Sequence, residues 1–274
     1  MSKLFIIATP IGNLADISLR AISQLRTANL IICENVLKST FLLEHHNIRG
    51  PKITSYSDKS SQKERSRLIE KILEHEITCI ISDAGTPLIS DPGYKLVEEC
   101  LQNNIEVDVI PGATALIAAL VVSGMPTDQF MFMGFIPSTL ENQKAKIESF
   151  ALYESVIVLY EAPKKILALL RAIARQYAGI RVSVSKELTK MYQKTYNGAI
   201  EDVLAEIESD GARGEYVVVL DKIHKEFVEQ DIIEEYKIFH SLKTKDLAKF
   251  IERKEKISKN DSYAISLKIK NQEV

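Results

Sequence analysis

Short apolar runs alternate with segments of helical spacing through the first 123 residues, and this alternation limits the folds open to the chain. The runs with strand character lie at residues 4–8, 30–33, 53–56, 80–81 and 105–110. Between them the spacing indicates helices, and Ser18 is suited to cap one whose apolar positions include Ala21 and Leu25. This order predicts an α/β unit built on a mostly parallel sheet.

Residues 80–93, with the sequence IISDAGTPLISDPG, are the most informative part of that unit. An apolar strand ends there in a loop that holds Gly85, Pro87, Pro92 and Gly93, and a helix is predicted after it. Proline fixes the backbone and glycine permits close approach, so the loop has a defined shape. Ligands bind outside the carboxyl ends of strands in such sheets. A triphosphate-binding P-loop is excluded because no Gly-Lys-Ser/Thr follows; a long structural turn is the alternative.

A second α/β region follows Gly124, Met125 and Pro126, which predict a joint between domains. Strand-like runs occur at residues 130–133, 155–160, 181–185 and 216–220, with helices predicted at 164–176 and 200–207. We therefore predict an N-terminal domain at residues 1–124 and a second domain at 125–228. Three short helical stretches rich in Lys and Glu predict a small helical C-terminal extension at residues 229–274.

Charge and cysteine content narrow the functional class. The formal net charge of −2 gives no general attraction to nucleic acid, so any basic surface must be local. Cys33, Cys79 and Cys100 have no metal-binding spacing, and the first two lie in strand-like runs that predict buried thiols. The first apolar run stops at Thr9-Pro10, and no later run reaches membrane-spanning length. These features predict a cytoplasmic protein.

Six stretches, taken together and in order, resemble one family. They are TPIGNLADISLRA (9–21), SDAGTPLISDPG (82–93), IPGATALIAAL (110–120), SGMPTDQFMFMGFIP (123–137), YEAP (160–163) and KELTK (186–190). This set resembles the ribosomal RNA small subunit methyltransferase I branch of the tetrapyrrole methylase superfamily. The resemblance covers roughly residues 4–221, and the tail is similar to the helical extension of that family.

The resemblance implies a two-domain α/β methyltransferase of class III, usually homodimeric, that binds S-adenosyl-L-methionine between its domains and uses no metal. It also implies methylation of the 2′-hydroxyl of one cytidine in the decoding region of 16S ribosomal RNA, within the small subunit. The cofactor-binding residues that it implies are Pro10, Gly85, Thr86, Ile89, Thr114, Ala115, Glu161, Leu188 and Glu215. Thr114 and Ala115 open a predicted helix, whose free amide groups and dipole suit an anionic group.

Methyl transfer is a displacement at carbon in which the protein's main task is positioning. The attacking hydroxyl must also lose its proton, and a carboxylate, neutral Lys or neutral His could accept it. Glu34, Glu187 and Lys190 are the candidates for this catalytic role, while Lys164 and Lys165 are candidate contacts to the RNA substrate. The histidines are predicted to lie at the surface or at helix ends; they are His45, His46, His75, His224 and His240.

Several polar positions depart from the family's pattern, whereas the cofactor loops do not. Residues 35–37 read Asn-Val-Leu where the family has Asp-Thr-Arg, and residues 56–61 lack an expected His and Asn. Lys164-Lys165 replaces His-Arg, and Gln193 replaces a Glu. Two other functions therefore stay open: methylation of a small molecule such as a tetrapyrrole, and a non-catalytic, cofactor-binding role in ribosome assembly.

Overall fold

A computed structural model describes residues 2–223, 229–255 and 258–271. The chain divides into two compact units, one ending at Ile223 and one beginning at His224. The first unit holds two five-stranded sheets within its described residues. Over the described part of the chain, no helix is long and apolar enough to cross a membrane.

The first sheet confirms the predicted parallel α/β arrangement. Its strands are β1 (Lys3–Ile7), β2 (Leu30–Cys33), β3 (Lys52–Ser55), β4 (Ile77–Ile81) and β5 (Glu106–Ile110). Their order is β3-β2-β4-β1-β5, and every neighbouring pair is parallel. The helices between and after them are α1 (Leu19–Thr27), α2 (Val36–His45), α3 (Gln62–Leu73), α4 (Tyr94–Gln102) and α5 (Ala115–Val122). All five carboxyl ends therefore meet at one edge, where the candidate loops begin.

Local sequence explains where these helices start. The Ser18 side chain accepts the Ala21 N–H at 3.0 Å and caps α1 as predicted, and Ser61 forms a reciprocal capping box with Glu64 at the start of α3. At the start of α2, Asn35 accepts the N–H groups of Leu37 and Lys38. The departure at Asn35 therefore preserves a capping side chain, because Asp and Asn serve equally well at this position.

The second sheet is mixed. It comprises β6 (Phe130–Phe135), β7 (Val156–Glu161), β8 (Arg181–Lys186), β9 (Lys194–Ala199) and β10 (Tyr216–Leu220), in the order β6-β7-β10-β8-β9. Only the β6–β7 pair is parallel. Its helices are α6 (Leu140–Glu148), α7 (Ile166–Gln176) and α8 (Ile200–Asp210). The apolar residues of α5 that pack against this sheet include Leu116 and Leu120, beside Val158 and Val217.

Two elements of this region were absent from the sequence prediction. β9 has the sequence KTYNGA, whose Asn and Gly disfavour strands; pairing with β8 forms it nevertheless. α6 buries only Ile147, so it has little apolar periodicity to detect. α3 ends at Leu73, so His75 lies just beyond a helix end, and α7 begins at Ile166 rather than at the predicted residue 164. The predicted domain boundary near residue 124 stays a prediction.

The second unit contains the helices predicted for the tail. These are α9 (Glu229–Tyr236), α10 (Thr244–Glu255) and α11 (Lys259–Asn271). Their small apolar core includes Ile232, Ile233, Tyr236, Leu247, Ile251, Ile265 and Ile269. Cys33, Cys79 and Cys100 of the first unit are buried free thiols, which confirms the prediction for the first two.

Candidate active site

Two loops at the carboxyl edge of the first sheet are bonded to each other. Thr9, after β1, donates its N–H to the Gly85 carbonyl at 2.8 Å, and the Gly85 N–H donates to the Thr9 carbonyl at 3.1 Å. Gly85 has a φ of +81°, and a Cβ there would lie 3.1 Å from Cγ2 of Ile11. Glycine is therefore required at this close approach, and the two bonds fix the loop after β4 against the loop after β1.

A cavity of about 370 Å³ lies beside this loop, between the two sheets. It is bounded by the loop after β4, the start of α5, the end of β7 and the start of β10. Most of the residues predicted to bind the cofactor line it: Gly85, Thr86, Ile89, Thr114, Ala115, Glu161 and Glu215. We call this space the central cavity. Its volume suits a small-molecule ligand of nucleoside size.

Two other members of the predicted set lie outside the central cavity. Pro10 lines the neighbouring groove described below. Leu188 is 8% exposed and packs with Ile11, Leu116 and Val217 in the apolar core between the sheets. These two residues lie next to residues that line the central cavity, but they do not line it themselves.

Carboxylates give the central cavity a negative character. Glu161 is only 3% exposed, and its Oε1 accepts the Ala162 N–H at 2.8 Å. Burial raises the pKa of Glu161, although that hydrogen bond opposes the change. Burial, together with the charges of Glu34 and Asp83, raises the pKa of Asp91 to about 6. Both groups would be better stabilised as anions if a cation entered the cavity.

Tyr160 and Phe135 line the central cavity and were not predicted individually. Tyr160 lies in the YEAP stretch, so the signal was present in the sequence, but its role depends on a contact between the sheets. Its hydroxyl oxygen accepts the Leu116 N–H at 3.1 Å, at the first turn of α5. Its ring packs edge-on against Phe132 and Phe135, at centroid distances of 4.8 and 5.7 Å. Burial raises the pKa of Tyr160, which keeps the phenol protonated at neutral pH.

A second space of about 490 Å³, which we call the flanking groove, adjoins the central cavity. The two share Ile11, Ala84 and Glu215 as lining residues. The residues that line only the flanking groove include Pro10, Gly12, Leu14, Leu37, Lys38, Phe41, Asp83 and Lys190. The flanking groove is therefore separated from the central cavity only by a shared wall.

Lys190 joins two carboxylates at the shared wall. Its Nζ lies 2.9 Å from Glu187 Oε1 and 2.8 Å from Glu215 Oε2. Burial alone would lower the pKa of Lys190, but the two carboxylates outweigh burial and raise it. Burial likewise acts to raise the pKa of Glu187, and its bonds to the Glu215 N–H and Lys190 lower it overall. Lys190 is thus held protonated and Glu187 ionised.

The remaining candidates lie further from the central cavity. Glu34 lines a polar groove of about 410 Å³ together with Tyr56, Ser57, Arg67 and Lys71. Lys164 and Lys165 are exposed at the start of α7, directly after Pro163 of the central cavity, and Lys165 Nζ donates to Ser138 Oγ at 2.6 Å.

In the described part of the chain, neither a histidine nor a metal-binding cluster forms part of the candidate site. Among the described residues, no histidine lines these three spaces, and His224 lies outside the described residues. Within the same described ranges, no group of three or more His, Cys, Asp or Glu residues could hold a metal ion.

Comparison with known proteins identifies the class to which this fold and cavity belong. Residues 3–204 match the protein-family model described as Tetrapyrrole (Corrin/Porphyrin) Methylases. The fold is similar to a crystal structure of diphthine synthase, with a TM-score of 0.63 and 16% identity over 81% of this chain and 90% of that chain. It is also similar to uroporphyrin-III C-methyl transferase from Thermus thermophilus complexed with S-adenyl homocysteine (TM-score 0.57, 16% identity, 80% and 97% coverage). The chain has the tetrapyrrole methylase fold.

Closer relatives identify the branch. A protein of Hydrogenobaculum sp. named ribosomal RNA small subunit methyltransferase I is 42% identical over 80% of this chain and 96% of its own length. A protein of the same name from Buchnera aphidicola subsp. Schizaphis graminum is 33% identical over 98% of this chain and 96% of its own length, which includes the tail. The chain therefore belongs to the ribosomal RNA small subunit methyltransferase I family, as its sequence motifs indicated.

Proposed function

We propose that the protein transfers a methyl group from S-adenosyl-L-methionine to the 2′-hydroxyl of a cytidine in the decoding region of 16S ribosomal RNA, within the small subunit. Family membership supports the reaction and its RNA substrate. The observation that carries the proposal is the central cavity, because residues predicted from separate motifs line it together.

The chemistry of the central cavity fits this cofactor. Asp91, Glu161 and Glu215 provide carboxylates for its ammonium and sulfonium groups. Ile11, Ile89 and Val217 with the rings of Phe135, Tyr160 and Tyr216 provide apolar surface for its adenine. Thr114 precedes the first turn of α5, so the positive end of that helix suits the cofactor's carboxylate.

When bound, S-adenosyl-L-methionine supplies a methyl group on a sulfonium leaving group. The protein then needs chiefly to align the ribose hydroxyl with that methyl group, and alignment can contribute about 7–11 kcal/mol in favourable cases. The shared wall at Ile11, Ala84 and Glu215 is where a substrate in the flanking groove would come nearest the central cavity.

The three catalytic candidates suit different tasks. Lys190 is protonated by its two ion pairs, which suits an anion contact better than proton acceptance. The low pKa of Glu187 makes its carboxylate a weak base. The charge of Glu34 raises the pKa of Asp91, so Glu34 lies within electrostatic range of the central cavity. Glu34 is therefore the predicted carboxylate to test as the proton acceptor. Lys164 and Lys165 are proposed as contacts to RNA phosphates.

We also propose that the protein acts in the cytoplasm as a homodimer. α5 has the sequence ALIAALVV and is apolar on every face, yet Ile117, Val121 and Val122 are exposed. An exposed apolar patch of this kind is typical of an interface between proteins. A second copy of the chain would cover it.

A labelling experiment tests the reaction. The protein is incubated with radiolabelled S-adenosyl-L-methionine and small subunits from a strain that lacks the modification, and the label is mapped. We expect label on one cytidine ribose of 16S ribosomal RNA. Label on a small molecule alone, or binding of S-adenosylhomocysteine without transfer to any substrate, would overturn the proposal in favour of the two other functions.

A further inference from the structure

The flanking groove contains a hydrogen-bond donor, Lys38, and an acceptor, Asp83, to which the proposed reaction assigns no role. Lys38 Nζ lies 2.9 Å from Asp83 Oδ2, and both residues line the flanking groove. The Asp83 side chain is 21% exposed, and its Oδ1 is buried without a hydrogen-bond partner among the described residues. A carboxylate has about four acceptor positions, two on each oxygen, so Oδ2 retains capacity for a further donor beside Lys38.

The groove also has an apolar face of the kind that nucleobases stack on. Leu37 and Phe41 lie four residues apart on α2, which places them on one side of that helix. Their exposed fractions are 82% and 62%, although both are large apolar side chains. Stacking on an aromatic ring is a general way to hold an unpaired base. Leu37 stands where the resembling family has Arg, so this face is more apolar here.

Neighbouring donor and acceptor groups match one edge of a pyrimidine. Cytosine presents an exocyclic amine beside a ring nitrogen acceptor, whereas uracil presents the reverse order, an oxygen acceptor beside an N–H donor. Asp83 accepts from an amine, and the ammonium of Lys38 donates to a ring nitrogen or carbonyl oxygen. The hydrogen bond to Asp83 holds the pKa of Lys38 above its ordinary value, so Lys38 remains a donor.

We propose that the flanking groove takes the base of the target nucleotide, with Phe41 as its stacking surface and the Asp83–Lys38 pair as the group that selects cytosine over uracil. This inference rests on the proposed function and specifies how the same site chooses its substrate. The shared wall with the central cavity places a base in the groove next to the methyl donor's site.

The test compares small subunits reconstituted with cytidine or uridine at the mapped target position, using radiolabelled S-adenosyl-L-methionine. For the wild-type protein we expect a preference for cytidine of roughly 10- to 100-fold in kcat/KM, the range typical of a bidentate base contact. For Asp83→Asn we expect the preference to fall below about threefold, because an amide offers both a donor and an acceptor. The matched control is Asp202→Asn, at an exposed position on α8.

A second variant tests the stacking surface. Phe41→Ala should lower kcat/KM by roughly tenfold for both nucleotides and leave their ratio unchanged, since stacking does not depend on the pattern of hydrogen bonds. Both variants should bind S-adenosylhomocysteine, measured by calorimetry, as the wild-type protein does. That measurement separates a loss of substrate selection from a loss of folding.

Three results would overturn the inference. An equal loss for cytidine and uridine in Asp83→Asn would assign Asp83 to proton transfer or to structure instead of base selection. Unchanged transfer by Phe41→Ala would remove the stacking surface. Absence of transfer by the wild-type protein to subunits carrying cytidine would overturn the proposed function, and the inference with it, whereas the first two results leave that function intact.

Discussion

The hydroxyl oxygen of Tyr160 accepts the backbone N–H of Leu116 at 3.1 Å. This bond connects β7 of the second sheet to the first turn of α5, beside Thr114 at the central cavity. The first N–H groups of a helix have no partner within the helix, so the bond satisfies one of them with a side chain from another element. The same contact therefore stabilises the fold and defines one wall of the central cavity.

Tyr160→Phe should lower the free energy of unfolding by about 1–3 kcal/mol, because the Leu116 N–H loses its acceptor in a half-buried position. We also expect weaker binding of S-adenosylhomocysteine, since the start of α5 borders the central cavity. Urea denaturation and calorimetry measure the two effects. The control is Tyr192→Phe at an exposed position; equal stability of the two variants would contradict the prediction.

Gly12→Ala should disturb the contact between the loop after β1 and the KELTK stretch. A Cβ at Gly12 would lie 2.5 Å from Lys190 Cγ and 2.9 Å from the Leu188 carbonyl oxygen. The Leu188 backbone cannot rotate away as a side chain can, so we expect a loss of about 1–3 kcal/mol in stability and reduced affinity for S-adenosylhomocysteine.

Gly50→Ala is the comparison for Gly12→Ala. Gly50 has a φ of +108°, and no atom of the described residues lies within 4 Å of an added Cβ, so its substitution strains the backbone without a steric contact among them. It should lower the melting temperature while leaving affinity for S-adenosylhomocysteine intact. Full affinity in Gly12→Ala would show that the contact with the KELTK stretch does not shape the site.

Asp91→Asn should raise stability at neutral pH. Because burial raises the native pKa of Asp91 to about 6 from an ordinary value of 3.8, the native state holds this proton more tightly than the unfolded chain does. Wild-type stability should therefore fall as pH rises from about 4 to about 6. The advantage of Asp91→Asn should be largest above pH 6 and vanish near pH 4, as measured by denaturation at each pH.

Asp91→Asn should weaken the binding of S-adenosyl-L-methionine at neutral pH, although it stabilises the fold there. An ionised Asp91 favours a cationic ligand, so wild-type affinity for S-adenosyl-L-methionine should rise between pH 5 and 7. Asp91→Asn should lose that rise. A pH dependence that persists unchanged in the variant would assign it to another group.

Lys164→Gln should reduce the salt dependence of small-subunit binding. If the Lys164 ammonium contacts one phosphate, the slope of log affinity against log salt should fall in magnitude by about 1. Lys52→Gln is the control, because Lys52 begins β3 and lies at the opposite, amino edge of the first sheet. Identical slopes for the two variants would exclude the proposed phosphate contact.

Val121→Glu should convert the proposed homodimer into a monomer. Val121 is 65% exposed on the apolar helix α5, and a buried, unpaired carboxylate would oppose association of two copies. Analytical ultracentrifugation of both proteins at several concentrations measures this. A wild-type protein that sediments as a monomer throughout would contradict the proposed homodimer.

Sequence patterns predicted the elements that contain short apolar runs or a regular apolar spacing. The five parallel strands, the cap of α1 and most of the central cavity's lining follow from short apolar runs, from a capping serine and from motifs at strand ends. Contacts between distant segments were less accessible. The sequence makes Lys190 a candidate proton acceptor, but two ion pairs hold it protonated in the structure. Its partners are Glu187 and Glu215, which lie 3 and 25 residues away in the sequence.

Polar and weakly patterned segments were missed for a related reason. α6 and β9 are formed by packing against neighbours rather than by their own periodicity. Asp83 and Lys38 form a pair because the loop after β4 lies beside α2. The two residues are 45 positions apart in the sequence, and nothing in that separation indicates that they are in contact.

The reciprocal backbone hydrogen bonds between Thr9 and Gly85 hold together two motifs that are distant in sequence, so the two loops form one structural unit. A length change in either loop would break both bonds and displace the floor of the central cavity and of the flanking groove together. Transplanting one loop from a relative should therefore fail, whereas exchanging both at once should preserve the site. Engineering of cofactor or nucleotide preference in this family must treat the two loops as one unit.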